Sequence, residues 1–290
     1  MENRLHDFVP DDLYRAVVLQ SPDWLWVFDE TGSPVGLSPE PNYGSALFRW
    51  VYESDLLPLQ QACRRLLQER EPFAMTFRAV LPDGALVWLE GQGYPLAGKS
   101  SGWQAALTAK DITAFKKQEE RLTRLAYYDP LTQLPNRRLF QDRFIQSLHM
   151  AKRYHHKLAV IYLDLDDFKR INDTYGHATG DELLTMAASR LSHSIREPDT
   201  VCRMGGDEFV VLVQQFEHRE DVAKIVDRIA QTLNQPFELN GQTMSITSSI
   251  GVSCYPEDGQ DIDTLLQCAD TAMYASKQQG KNHFRFFSNP

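Results

Sequence analysis

The sequence predicts a mixed protein of α/β (α+β) class, built as two dissimilar modules. Its 290 residues are enough for two domains at roughly 100–200 residues each. All five tryptophans, Trp24, Trp26, Trp50, Trp88 and Trp103, fall in the first part, so the halves draw on different core residues and the boundary lies after Trp103. In both parts, runs of β-formers bounded by Gly, Pro and Asp alternate with helical stripes.

In the first module, Trp24-Leu25-Trp26-Val27-Phe28-Asp29 reads as a strand running into a turn at Glu30-Thr31-Gly32-Ser33-Pro34. Leu56 to Arg70 reads as a helix. Phe73 to Leu81 leads through Pro82-Asp83-Gly84 into Leu86-Val87-Trp88-Leu89-Glu90, a hairpin, and Trp103 to Ala109 is a final strand ending at Asp111-Ile112-Thr113. Over residues 10–113 this layout resembles a PAS sensor domain, whose last strand often ends in such a triplet before a signalling helix. The resemblance implies an antiparallel sheet with helices. With no histidine between His6 and His149, and no flavin-site surroundings at Cys63, no cofactor is expected there. The aromatics read as ordinary core. A small ligand and a purely dimerising role both remain open.

Residues 114–128 form the expected linker helix. Phe115, Gln118, Leu122 and Leu125 recur at three- and four-residue steps, a short coiled-coil seam. Two turns alone also fit an amphipathic helix packed on its own domain.

The second module, residues 129–288, carries the chemistry. Leu158 to Leu163 is a run of β-formers that turns acidic at Asp164, Asp166 and Asp167. Strand alternation puts Asp164 and Asp166 on one face. Arg203-Met204-Gly205-Gly206-Asp207-Glu208-Phe209 places two further acids beside a glycine pair between apolar runs, which predicts a tight two-residue hairpin at Gly-Gly. Asp207 and Glu208 should then point to opposite faces, one of them meeting an acid from elsewhere. Asp164 and Asp207 suit a hard divalent cation. An acidic strand end alone reads equally as solvated surface.

Thr179-Gly180-Asp181-Glu182 is spaced as a capping box opening a helix whose stripe is Leu183, Leu184, Ala187, Leu191 and Ile195. Asp181 would sit at the helix start, where a capping role and a ligand role compete. A second helix, Ile262 to Gln279, buries Leu265, Leu266, Ala269, Ala272 and Met273 and stops at Gly280, with Lys277 and Lys281 at its end.

Gly205-Gly206-Asp207-Glu208-Phe209 resembles the signature of the GGDEF family, the bacterial diguanylate cyclases. Asp129-Pro130-Leu131-Thr132-Gln133-Leu134-Pro135-Asn136-Arg137 resembles the family's opening motif. Asp164 to Asp173 with Gly176-His177 and Gly180-Asp181 resembles its metal and base-binding segment, and Ala269-Asp270, Tyr274, Lys277, Gly280 and Lys281-Asn282 its carboxyl-terminal one. The resemblance covers roughly Tyr128 to Phe287. It implies a palm-like nucleotide-cyclase sheet in the order β-α-α-β-β-α-β, flanked by helices.

It also implies an activity: condensation of two GTP into cyclic di-GMP and two pyrophosphates. Two Mg²⁺ (or Mn²⁺) would be held by Asp164, the Leu165 carbonyl and Asp207, with Glu208 either completing the shell or positioning the hairpin. Asp207 would accept the hydroxyl proton. Phe168, Gly205 and Gly206 would line the substrate site, Lys169, Lys277 and Lys281 would contact the triphosphate, and Asn172 and Asp181 would read guanine. A carboxylate at Asp181 accepts from guanine N1 and N2, donors that adenine lacks. Arg196-Glu197-Pro198-Asp199 stands at the offset of the family's inhibitory product site, where Arg196 and Asp199 would clamp cyclic di-GMP; alone, such a tetrad reads as an exposed salt bridge. One GTP per chain would require a homodimer.

A net charge of −9 excludes a broad nucleic-acid or anionic-membrane surface. Cys63, Cys202, Cys254 and Cys268 lack paired spacing, so neither zinc nor disulfides are implied. No leader-like amino terminus and no apolar stretch of about 18 residues is present, which predicts a cytoplasmic protein without membrane insertion. A catalytically silent cyclic di-GMP receptor would keep Arg196 and Asp199 but lose metal carboxylates. A mixed-product cyclase would change Asp181, and a structural partner would need neither set.

Overall fold

The computed structural model describes residues 24–29, 47–97 and 103–288. The chain divides into two compact units, Met1–Arg121 and Leu122–Pro290. Residues 10–23 and 30–46 of the expected first module, including the Glu30–Pro34 turn, lie outside the described residues.

In the first unit, β1 (Trp24–Asp29), β2 (Phe73–Val80), β3 (Leu86–Ala97) and β4 (Trp103–Asp111) form an antiparallel sheet in the order β1-β4-β3-β2. Helices α1 (Leu47–Trp50) and α2 (Glu53–Glu69) accompany it. One face alternates Phe77 and Ala79 with Val87 and Leu89 and with Leu107 and Ala109, and against it α2 buries Leu59, Ala62 and Leu66. Gly91 and Gly93 of β3 leave room for this core: a Cβ there would lie 2.7 Å from the Phe77 ring and 2.4 Å from the Phe73 ring. Asp111 and Thr113 close the sheet, Thr113 N–H bonding Asp111 Oδ1 at 2.8 Å while Thr113 Oγ1 accepts the Trp88 N–H at 2.8 Å.

Helix α3 (Thr113–Tyr127) follows. Among the described residues it buries nothing, and Phe115, Leu122 and Leu125 are more than half exposed. The expected seam is therefore an uncovered stripe.

The second unit has a five-stranded sheet in the order β11-β10-β5-β7-β6, from β5 (Lys157–Leu165), β6 (Thr200–Gly205), β7 (Glu208–Phe216), β10 (Ser248–Tyr255) and β11 (Phe284–Phe286). Helices α5 (Phe168–Tyr175), α6 (His177–His193) and α7 (Arg219–Leu233) cover one face over Ile161, Leu163, Phe209, Val211 and Ile250. Helices α4 (Arg137–Tyr154) and α8 (Ile262–Gln278) cover the other over Leu158, Val160, Val210 and Leu212. Both faces are buried, which is why these strands read as continuous apolar runs. The expected β-α-α-β-β-α-β order is β5 through β10; the small hairpin β8 (Phe237–Leu239) and β9 (Gln242–Met244) interrupts it.

Two local expectations change and one holds. The two-residue turn is Gly206-Asp207, because Gly205 pairs with Glu208 across a register shift after Arg203. Strand β5 ends at Leu165, yet Asp166 keeps the alternation: its carboxylate meets Ser249, the β10 partner of Asp164, so the two acids share a face as expected. Helix α6 starts at His177 behind Gly176 (φ 85°); Thr179 bonds back to the Tyr175 carbonyl at 3.0 Å, no Thr179/Glu182 capping box forms, and Asp181 sits one turn inside. Ile195 lies beyond the helix end but packs against the same core.

Candidate active site

Strands β5 and β7 place Asp164 opposite Glu208, and the Leu165 N–H reaches the Asp207 carbonyl at 3.4 Å. Three carboxylates thus gather where the two strands end. Asp164 is 8% exposed. Burial pushes its carboxyl up to about 6, with Asp207 and Glu208 adding to the rise and Lys277 opposing it. Lys277 Nζ lies 2.7 Å from Asp164 Oδ2. That reach depends on Gly251 of β10, where a Cβ would meet the Ala269 carbonyl at 2.0 Å and the Met273 nitrogen at 2.2 Å. Only a glycine lets α8 settle this closely on the sheet.

Behind the acids, Tyr162 donates to Glu208 Oε2 at 3.0 Å. Burial foremost, then Glu208 and Asp270, push its phenol well above the usual value.

Asp166 serves the scaffold. Its carboxylate accepts from Thr247 Oγ1 at 2.6 Å, Ser249 Oγ at 2.7 Å and the Asn282 N–H at 3.2 Å, tying the β5 exit to β10 and to the chain after α8. Beside it, Asp167 (φ 59°) pairs with Lys281 at 2.8 Å.

The hairpin has its own strut. Arg203 donates from Nε and Nη2 to the Gly206 carbonyl at 2.9 and 2.7 Å, and from Nη1 to Asp129 Oδ1 at 2.9 Å. Asp129 also accepts from Thr132 N–H and Oγ1, at 2.8 and 2.7 Å. Burial raises the Asp129 carboxyl, but the bonds from Thr132 and Arg203 outweigh it and hold the pKa below its ordinary value. Asn136, at the start of α4, bonds the Ala126 and Tyr127 carbonyls, so the end of α3 joins the same loop.

On the other face, Asn172 of α5 lies against Gly180 of α6: an added Cβ would fall 1.9 Å from Asn172 Oδ1 and 3.2 Å from the buried Phe168 ring. Asp181 is exposed next to it, and Lys169 is exposed on the first turn of α5.

Arg196 and Asp199 stand at the far end of β6 from the hairpin. Arg196 Nε is 3.3 Å from Asp199 Oδ2, and its Nη2 bonds the Gln214 and Gln215 carbonyls. The Asp199 side chain is buried and accepts the Gln214 N–H at 3.0 Å. Both groups are engaged within the chain, Arg196 in the salt bridge to Asp199 that the tetrad spacing allows.

Among the described residues no three His, Cys, Asp or Glu form a ready-made metal cage. The oxygen donors of Asp164, Asp207 and Glu208 nevertheless fit Mg²⁺ or Mn²⁺, which is usually held by one or two carboxylates with waters and substrate phosphates. No helix among the described residues is long and apolar enough to cross a membrane.

Tyr162 and Arg203 carry no role in the sequence reading. Tyr162 sits two residues before Asp164, so strand alternation places it on the same face; nothing local marks Arg203 as the strut.

The diguanylate cyclase TpbB of Pseudomonas aeruginosa is 38% identical over 213 residues, 72% of this chain and 47% of TpbB. The bifunctional diguanylate cyclase/cyclic di-GMP phosphodiesterase MucR of the same organism is 40% identical over 184 residues, 63% of this chain and 27% of MucR. The solved GGDEF domain of TpbB superposes with a TM-score of 0.55 at 40% identity, covering 56% of this chain and 95% of that one. The chain spans between about a fifth and about half the length of such curated relatives. Residues 126–283 match the family described as diguanylate cyclase, GGDEF domain, and the chain belongs to that family.

Proposed function

We propose that this protein is a diguanylate cyclase that joins two GTP into cyclic di-GMP with release of two pyrophosphates. The observation that carries the reading is the gathering of Asp164, Asp207 and Glu208 at one sheet end with Lys277 on Asp164. Asp164, Asp207, Glu208 and the Leu165 carbonyl would hold the divalent ions. When bound, these neutralise the triphosphate and polarise the α-phosphate under attack.

The chain's own groups do the rest. Asn172 and Asp181 bond the guanine edge; adenine would leave the carboxylate without donors, which gives GTP its preference. Lys169, Lys277 and Lys281 draw the triphosphate in, Lys277 and Lys281 exchanging Asp164 and Asp167 for phosphate oxygens. Asp207, on the turn itself, accepts the proton of the attacking 3′-hydroxyl as the new O–P bond forms and pyrophosphate leaves. Each chain presents one GTP, so two sites must face each other. The uncovered Phe115/Leu122/Leu125 stripe supports pairing through α3, and the antiparallel sheet of the first unit supports a PAS-like sensor that sets how often the sites meet.

Arg196 and Asp199 would form the inhibitory cyclic di-GMP site, opening their internal bonds to do so. Turnover of GTP but not ATP with Mg²⁺, followed by product identification, tests the assignment. A second reading, a silent cyclic di-GMP receptor, is supported by the Arg196–Asp199 pair, which such a receptor would keep. Cyclic di-GMP binding without GTP turnover would select it.

A further inference from the structure

The proposed reaction explains Asp164 and Asp207 but gives Glu208 no defined orientation. A carboxylate on a strand end next to a two-residue turn rotates freely about χ1 to χ3 unless something holds it. Tyr162 does so: its hydroxyl donates to Glu208 Oε2 at 3.0 Å. The two residues are diagonal neighbours across β5 and β7, since Tyr162 pairs with Val210 and Asp164 with Glu208, a separation long side chains span. On the other flank β10 pairs Gly251 with Tyr162, and α8 closes directly over that glycine. A single strand therefore carries both Asp164 and, two residues earlier, the group that orients Glu208.

We infer that Tyr162 is a positioning residue that presents Glu208 as a member of the divalent-ion shell. Resting on the cyclase reading, this adds Tyr162 as the group that fixes the orientation of a carboxylate already placed among those that would hold the ions. Carboxylates that bind metals are commonly held by such outer hydrogen bonds, and loss of the outer partner lowers metal affinity by about ten- to a hundredfold.

The test is Mn²⁺ binding to the full chain, followed by electron paramagnetic resonance with 3′-deoxy-GTP, which lacks the attacking hydroxyl. Tyr162→Phe should weaken Mn²⁺ binding by about tenfold or more. Glu208→Gln should weaken it comparably, and adding Tyr162→Phe to Glu208→Gln should change little further, since the two act as one unit. Unchanged Mn²⁺ affinity in Tyr162→Phe, or losses that simply add in the double variant, would overturn the inference. Should Tyr162→Phe melt early, the comparison within the Glu208→Gln background still separates orientation from folding. Asp164→Asn is the control: if it leaves Mn²⁺ affinity intact, the cyclase reading itself fails, whereas loss in Asp164→Asn without loss in Tyr162→Phe removes only the role of Tyr162.

Discussion

Arg203 holds the Gly206 carbonyl through two guanidinium nitrogens, at 2.9 and 2.7 Å, while its third nitrogen grips Asp129. A planar fork is needed for that, and lysine offers a single point charge. Arg203→Lys should therefore leave the fold in place but lower GTP turnover by roughly tenfold, the equivalent of one charged hydrogen bond to the turn that presents Asp207. Arg203→Ala, which leaves Asp129 its Thr132 donors but removes its charge partner, should also cost about 2 kcal/mol of stability. Denaturant titration beside steady-state turnover separates the two effects.

Gly180→Ala offers a test of the base pocket. In an exposed helix interior this change stabilises by up to about 1 kcal/mol. Here the new methyl would overlap Asn172 Oδ1, so steric displacement wins. The expected outcome is a KM for GTP raised about tenfold, the worth of one hydrogen bond to guanine, with a smaller change in kcat.

The first unit should show an acid-sensitive anchor. Asp55 accepts from Arg78 N–H, Nε and Nη2 at 2.9, 2.8 and 2.7 Å, and these bonds hold its carboxyl well below the ordinary 3.8. A depressed carboxylate contributes stability above its unfolded value and loses it as pH falls below about 3.8. Asp55→Asn should lower stability near neutrality by about 1–3 kcal/mol and flatten the acid limb of the melting-temperature profile below that pH.

Much of the second unit was legible in the sequence. The apolar runs of β5 and β7 mark buried strands, and the acids at their ends mark the site. The errors lie where a turn or a helix start shifts by a few residues, and the unread roles lie where distant segments meet. The glycine pair predicts a turn, but the register shift after Arg203 slides it by one residue, so that Asp207 lies on the turn instead of a strand face. Asp166 follows the alternation, but Thr247, Ser249 and Asn282 claim its carboxylate, a use the sequence does not reveal. The Thr179/Glu182 spacing imitates a cap, but Gly176 starts the helix sooner. Tyr162 and Arg203 acquire meaning only when β7 and the Asp129 loop are brought beside them.

The product site makes a two-part prediction. Arg196 is half exposed, whereas the Asp199 side chain is buried and caps the Gln214 N–H. Arg196→Ala should relieve inhibition by cyclic di-GMP and destabilise by about 1–3 kcal/mol, because the buried Asp199 carboxylate loses its cation, while Asp199→Ala should relieve it and leave the Gln214 N–H without its acceptor. Inhibition curves and thermal melts on both variants check this.

The central claim, that carboxylates from β5 and the β6–β7 turn converge on a divalent ion, is tested most directly by anomalous diffraction from crystals grown with Mn²⁺ and 3′-deoxy-GTP. The account predicts manganese within bonding distance of both Asp164 and Asp207, with the nucleotide's phosphates beside it. Nucleotide bound with no manganese between those two side chains would contradict it.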